Sequence, residues 1–310
     1  MKKDFITLHD LSRYEFYELL DLSLAVKKNP EDYRQALKNQ VLAMIFEKPS
    51  LRTRMTFEVG MLELGGKAIY LSPNEIQIGK RETVEDVGHN LERWVDGIMI
   101  RTFAPDNVIR LARAASVPVI NALTDHEHPC QALADFFTLK EHKGDLGGLR
   151  FAWTGDGNNV CHSLMFAAAK AGATMNVATP RGYEPDPEIV RLALEDGRDT
   201  GFKLEIGTDP RAAVRGADAI YADVWASMGQ ESEKEDRLRI FAPFQVNDDL
   251  MALAKPDAVF MHCLPAHRGE EVSASVLDGP RSIVFDQAEN RLHVQKAIMI
   301  LLMGKNHRHG

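Results

Sequence analysis

Arg52 and Arg54 stand two positions apart, with Ser50 and Thr53 beside them, directly after the apolar run Val41 to Phe46 and the turn Glu47-Lys48-Pro49. Guanidinium, hydroxyl and backbone amide donors gathered this closely suit a multiply charged oxyanion, because the planar guanidinium fork matches phosphate geometry. Ser50 is the natural N-cap of a helix whose apolar positions Leu51, Met55, Val59 and Leu62 recur at helical spacing before Gly65-Gly66. First-turn N–H groups and the positive end of the helix dipole then face out of the turn. Two cations there oppose the dipole, which makes sense if an anion lies between them, and a phosphate is expected. The alternative is that the arginines face solvent or pair with Glu47 and Glu58.

Such a turn needs a buried strand behind it, and Val41 to Phe46 is a continuous apolar run of strand length. Further along, the pattern predicts strands at 68–71, 97–100 and 117–120, a loop over 72–82, and helices over 84–94 (opened by a Thr83/Asp86 capping box), 106–115 and 129–142. Pro129 suits the first turn of the last of these. Residues 1–40 read as helical and without chemistry. Strands and helices alternate, so a parallel sheet covered on both faces is expected. Lys143 to Gly148 is the clearest linker. Beyond it, predicted strands at 149–154, 175–178, 203–206, 219–222 and 258–262 form a second doubly wound sheet. A strand-like 282–285 and a helix over 287–303 end the chain.

In open parallel sheets ligands bind beyond the carboxyl ends of strands. In the first half those positions carry Ser50, Arg52, Thr53, Arg101, His126, His128 and Gln131. In the second they carry Asp156, Asn158, Asn159, Asp223, Ser227, Met228 and His262 to Pro265. One set is basic and the other acidic and amide-rich, which suggests an anionic substrate on one domain, an amine on the other, and reaction in the cleft between them.

The 310 residues carry a net charge of −8, so a general nucleic-acid binder is not expected. No apolar stretch is long enough to span a membrane and the N-terminus lacks a signal-peptide pattern, so the protein is expected to be cytoplasmic. Cys130, Cys161 and Cys263 have neither disulfide-framework nor zinc spacing and read as free thiols. The segment Gly155-Asp156-Gly157-Asn158-Asn159-Val160 departs from the dinucleotide fingerprint at Val160, and Ala178-Thr179-Pro180 supplies no acid for a ribose. Gly66-Lys67 does not complete a nucleotide-binding P-loop. His126, Glu127 and His128 with Cys130 lack the spacing of a structural zinc site, and neither a metal nor a cofactor is expected.

Four dispersed segments in order then give a resemblance. Ser50-Leu51-Arg52-Thr53-Arg54, His128-Pro129-Cys130-Gln131, Asp223 to Gly229 with its Ser-Met-Gly, and His262-Cys263-Leu264-Pro265 resemble the motifs of the ornithine carbamoyltransferases over essentially the whole chain. Leu51 departs from the threonine of many members, so that position offers only its amide to phosphate. The resemblance implies two doubly wound parallel-sheet α/β domains with the active site in the interdomain cleft. Residues 1–143 would bind carbamoyl phosphate, with a C-terminal helix at 287–305 packing back on them, and residues 149–286 would bind L-ornithine. It implies transfer of the carbamoyl group to the δ-amine, giving L-citrulline and phosphate. Ser50, Leu51, Arg52, Thr53, Gln77, Arg101, His128, Pro129, Cys130, Gln131, Cys263, Leu264 and Arg291 would form the carbamoyl phosphate pocket. Asn159, Asp223, Ser227 and Met228 would hold ornithine, with Cys263, Arg101 and His128 catalytic. A homotrimer or multiple of trimers is implied, with the Gln77 loop lent by a neighbouring subunit. A cis Leu264-Pro265 bond is also expected. The rivals are a carbamoyltransferase for acetylornithine, putrescine or aspartate, and a non-catalytic anion or amino-acid sensor of the same fold.

Overall fold

The structure, a computed structural model, describes residues 3–226, 229 and 231–304. Ser227 and Met228 fall outside the described residues. The chain divides into two compact units, one running to Phe137 and resuming at Glu289, the other Thr138–Ala288. Both divisions fall inside helices, Pro129–Lys143 and Val284–Met303, rather than at the glycine-rich run.

The first unit is built on β1 (Val41–Phe46), β2 (Lys67–Leu71), β3 (Gly97–Arg101) and β4 (Val119–Leu123), all parallel, in the order β2-β1-β3-β4. Every residue of β3 and β4, and all of β1 after Val41, is buried; β1 accordingly reads as an unbroken apolar run, while β4 carries the buried Asn121 and β3 ends in Arg101. A core of Ile45, Ile98, Ile100, Leu111 and Val119 packs against one face of this sheet. The second unit has β5 (Arg150–Thr154), β6 (Thr174–Ala178), β7 (Lys203–Gly207), β8 (Ala219–Ala222) and β9 (Val259–Met261), again all parallel, in the order β7-β6-β5-β8-β9. Its core includes Ile220, Val246, Phe260 and Val272.

Each sheet reverses its winding once. The chain leaves β1 toward β2 and returns to β3 on the other side, and it leaves β5 toward β6 and β7 and returns to β8. The crevice at such a switch point is where parallel sheets take ligands. Arg101 ends β3, and the segments after β1, β5 and β8 carry Arg52, Asn158 and Asp223.

Several boundaries differ from the sequence pattern. The fourth strand is Val119–Leu123, not 117–120: Pro118 has no N–H for a ladder, and pairing continues past Asn121 to Leu123. Residues 282–285 are not a strand. Ser282 makes one bridge to Phe260, and Val284 already opens the helix that runs to Met303. A short apolar run does not distinguish the two by periodicity. The helix expected over 84–94 ends at Leu91, with Thr83 accepting from the Asp86 amide. Within the N-terminal 40 residues the helix is Arg13–Lys28, opened by a reciprocal Ser12/Glu15 capping box, and a 3-10 turn follows at Pro30–Tyr33.

Candidate active site

Ser50 caps the helix Leu51–Glu63 as its spacing requires, its hydroxyl oxygen accepting the Thr53 amide at 3.2 Å. That bond occupies one first-turn N–H, so an anion at this helix end would meet the earlier amides of Leu51 and Arg52. Arg54 takes the alternative course. Its Nε donates to Glu58 at 3.3 Å and its guanidinium lies 3.9 Å from the centre of the Tyr70 ring. Of the two arginines, Arg52 is the one whose charge bears on His128.

Behind this turn a buried chain of polar contacts joins three distant stretches of sequence. Arg291, 2% exposed, donates from Nη1 to Gln131 Oε1 at 2.5 Å and from Nη2 to the Thr53 hydroxyl at 3.2 Å. Gln131 Nε2 donates to the fully buried carboxylate of Asp135 at 2.7 Å. Asp135 lies one helical turn beyond Gln131 and fixes which end of its amide faces Arg291. Sequence reading passed over Asp135; the signal was a Gln/Asp pair at i,i+4 on a helix too apolar to leave either unpaired.

His128 is buried, and its imidazole is held well below its ordinary titration range by burial first, then by Arg291, Arg101 and Arg52. It is therefore neutral near pH 7. Arg101 ends β3 and is 8% exposed. Pro129 begins the helix Pro129–Lys143. Cys130 points into the core, its thiol donating to the Asn121 carbonyl at 3.4 Å, and burial pushes its pKa up to about 12, so it stays a thiol. Gln77 is exposed, with φ of 45°, in the loop after the short helix Pro73–Ile76. Among the described residues its side chain makes no hydrogen bond to the Thr53–Arg291 set. Lys48 was also not anticipated: the residue is 5% exposed, and its ammonium pairs with Asp125 and lies 4.2 Å from the centre of the Phe103 ring.

The second unit gathers a different set. Asp223 follows β8 with 6% exposure, and its carboxylate accepts from the Cys263 thiol at 3.0 Å, the Val224 amide at 2.8 Å and Asn158 Nδ2 at 2.8 Å. Asn158 caps the helix Asn159–Ala171, its Oδ1 accepting the Val160 and Cys161 amides, so one side chain links that helix end to Asp223. The contact to Asp223 comes from Asn158, while Asn159 begins the helix. Leu264 has φ of 58°, and the Leu264-Pro265 bond is cis, as the motif suggested.

The glycines that evoke a dinucleotide loop have another explanation. A Cβ on Gly157 would lie 2.3 Å from the Pro185 nitrogen and 2.5 Å from the Glu184 carbonyl carbon, so backbone packing requires glycine there. Asp156 in that loop binds Arg237 Nη1 at 2.7 Å, yet burial still raises its pKa. Asp223, His262 and Cys263 bring one ligand atom each within 4.8 Å of one another, as do His267, Glu270 and Glu271. In the first group the thiol and carboxylate already meet each other and the imidazole accepts a backbone amide. Among the described residues no helix is long and apolar enough to cross a membrane.

Residues 3–141 match the model of the aspartate/ornithine carbamoyltransferase carbamoyl-P binding domain, and residues 147–302 that of the Asp/Orn binding domain. The ornithine carbamoyltransferase of Carboxydothermus hydrogenoformans is 53% identical over 97% of this chain and 98% of its own. That of Thermococcus kodakarensis is 53% identical over 97% and 96%. The solved ornithine carbamoyltransferase of Pyrococcus furiosus superposes with a TM-score of 0.95 at 51% identity, covering 97% of both chains.

Proposed function

Because the chain belongs to the aspartate/ornithine carbamoyltransferase family, we propose that it transfers the carbamoyl group of carbamoyl phosphate to the δ-amine of L-ornithine, releasing L-citrulline and phosphate. The observation that carries this reading is the division of labour between two strand-end sets: clustered cationic and hydroxyl donors around Thr53 and Arg291, and a buried carboxylate bonded to a thiol at Asp223 and Cys263. The first suits a phosphorylated donor and the second a cationic amino acid.

The phosphate is held by Ser50, Arg52, Thr53 and the Leu51 amide, with Gln77 supplied by a neighbouring subunit of a homotrimer or a multiple of trimers. Attack on the carbamoyl carbon builds negative charge on its oxygen, and Arg101, neutral His128 and the Thr53 hydroxyl are the donors for it. Losing one such donor should cost about 3 kcal/mol of transition-state stabilisation. Gln131 Oε1 keeps a second lone pair beyond its bond from Arg291, an acceptor for the carbamoyl NH2. The δ-ammonium must lose a proton before it attacks and another afterwards. Leaving phosphate is a suitable base, and the Cys263 thiol, already donating to Asp223, orients the amine. Asp223 with Asn159, Ser227 and Met228 holds the amino-acid end of ornithine.

Aspartate fits this site poorly, since its second carboxylate would meet Asp223. Product formation from carbamoyl phosphate with ornithine, acetylornithine, putrescine and aspartate in parallel tests the acceptor. Citrulline from ornithine at the highest kcat/KM is expected; preference for another amine would overturn the substrate assignment, and inactivity with all four alongside carbamoyl phosphate binding would indicate a sensor.

A further inference from the structure

His262 and Glu271 are both fully buried and lie outside the set that would touch substrate. The Leu264 amide donates to His262 Nδ1 at 2.8 Å, so that nitrogen must be unprotonated and the neutral ring carries its hydrogen on Nε2. Nε2 lies 3.2 Å from Glu271 Oε1, an ion-pair distance without hydrogen-bond alignment. A carboxylate can only accept, which matches the tautomer demanded from the other side. Glu271 is itself held: its Oε1 accepts the His267 amide at 2.5 Å, and its backbone carbonyl accepts the Val246 amide at 2.9 Å. Burial raises its pKa, but the His262 imidazole close by and the bond from the His267 amide bring it below the ordinary value, so it is an anion. The His267 imidazole stands 3.7 Å from Oε2 and adds to that when protonated. On the far side, the His262 amide donates to Gln287 Oε1 at 3.0 Å, and Gln287 Nε2 donates to the Tyr221 hydroxyl at 3.0 Å.

The residue this assembly grips is unusual. Leu264 occupies the left-handed region, which side chains other than glycine rarely adopt. It adjoins Cys263, whose thiol must stay 3.0 Å from Asp223. We propose that His262 and Glu271 are a positioning pair: the Leu264 amide on Nδ1 and the buried carboxylate near Nε2 together set the imidazole tautomer, the imidazole holds the Leu264 main chain, and the turn so held aims Cys263 at Asp223 and the incoming amine. The pair touches no reacting atom. The proposal rests on the carbamoyl-transfer reading for its kinetic consequence, though not for the tautomer.

Histidine 15N spectra of the full-length protein, with His262 assigned by the signals lost in His262→Asn, read the tautomer directly. Hydrogen on Nε2 at pH 7 is expected; hydrogen on Nδ1, or an imidazolium, would overturn the pairing. Kinetics supply the second arm. In His262→Asn the amide oxygen can replace Nδ1 and receive the Leu264 amide, whereas in His262→Gln the polar atoms fall near Nε2. His262→Gln should lose about 100-fold in kcat with ornithine while KM for carbamoyl phosphate is unchanged, and His262→Asn should be roughly tenfold faster than it. Equal kcat in the two variants would show that occupancy of the site matters and positioning does not. Should the wild type make no citrulline, the functional reading fails on that result alone, and the tautomer still decides the pair.

Discussion

Arg291 binds Gln131 and Thr53 at once, so a residue near the end of the chain sets the geometry of two earlier motifs. The motifs themselves were legible because they cluster by sequence: a serine cap, two arginines and a threonine in one turn announce an anion. Arg291 was not legible from spacing, since nothing local marks it, and it entered only through resemblance. Asp135 escaped altogether because its work is done on another side chain. Arg54 shows the limit of counting charges, having found Glu58 and Tyr70 instead. Arg52→Ala should weaken carbamoyl phosphate binding by about 100-fold, near 3 kcal/mol, with the circular dichroism spectrum unchanged. Titration calorimetry measures it, and unaltered affinity would remove Arg52 from the phosphate site. Asp135→Leu leaves the Gln131 amide free to turn, and should cut kcat by roughly tenfold to 100-fold more than it alters KM for ornithine.

Strands buried on both faces were the most readable elements, as in β1, where periodicity is replaced by an unbroken apolar run. Edges were less so. β7 is mostly exposed, and its assignment depended on alternation with helices rather than on hydrophobicity. The apolar residues 282–285 were misread because a buried helix entry and a short strand have the same local composition. Gly157 teaches a related lesson: its glycine reflects the approach of residues 184–185 and not a pyrophosphate. Gly157→Ala should destabilise the second unit by about 1–3 kcal/mol through overpacking, read as a lowered urea midpoint. A midpoint equal to wild type would mean the Pro185 turn yields without cost. Ser50→Ala removes the cap on Leu51–Glu63 and should cost about 1 kcal/mol.

At the scale of the whole molecule, the proposed site residues Arg52, Arg101, Asn158 and Asp223 lie at the strand ends where each sheet reverses its winding, a placement the alternation of strands and helices makes legible in sequence. The same burial that shapes the site links it to pH. His128 is neutral in the fold and would protonate near 6.5 when unfolded, so the unfolded chain binds the extra proton and stability falls as pH drops below that value. The loss from this residue is at most about 1.4 kcal/mol per pH unit, and His128→Gln should flatten the acid limb of the denaturation midpoint by that slope. A limb unchanged in the variant would assign it to other groups. If Gln77 serves a neighbouring subunit, then Gln77→Ala and Arg52→Ala proteins, each nearly inactive, should regain activity when denatured and refolded together, since some mixed trimers hold an intact site. No recovery would place Gln77 in its own subunit's site or in none. The most direct test of the central claim is to supply carbamoyl phosphate labelled with 13C and ornithine labelled with 15N at its δ-nitrogen, and to follow the reaction by NMR. A one-bond 13C–15N coupling in the product, formed together with inorganic phosphate, is the predicted result; phosphate release without that coupling would contradict transfer to the δ-amine.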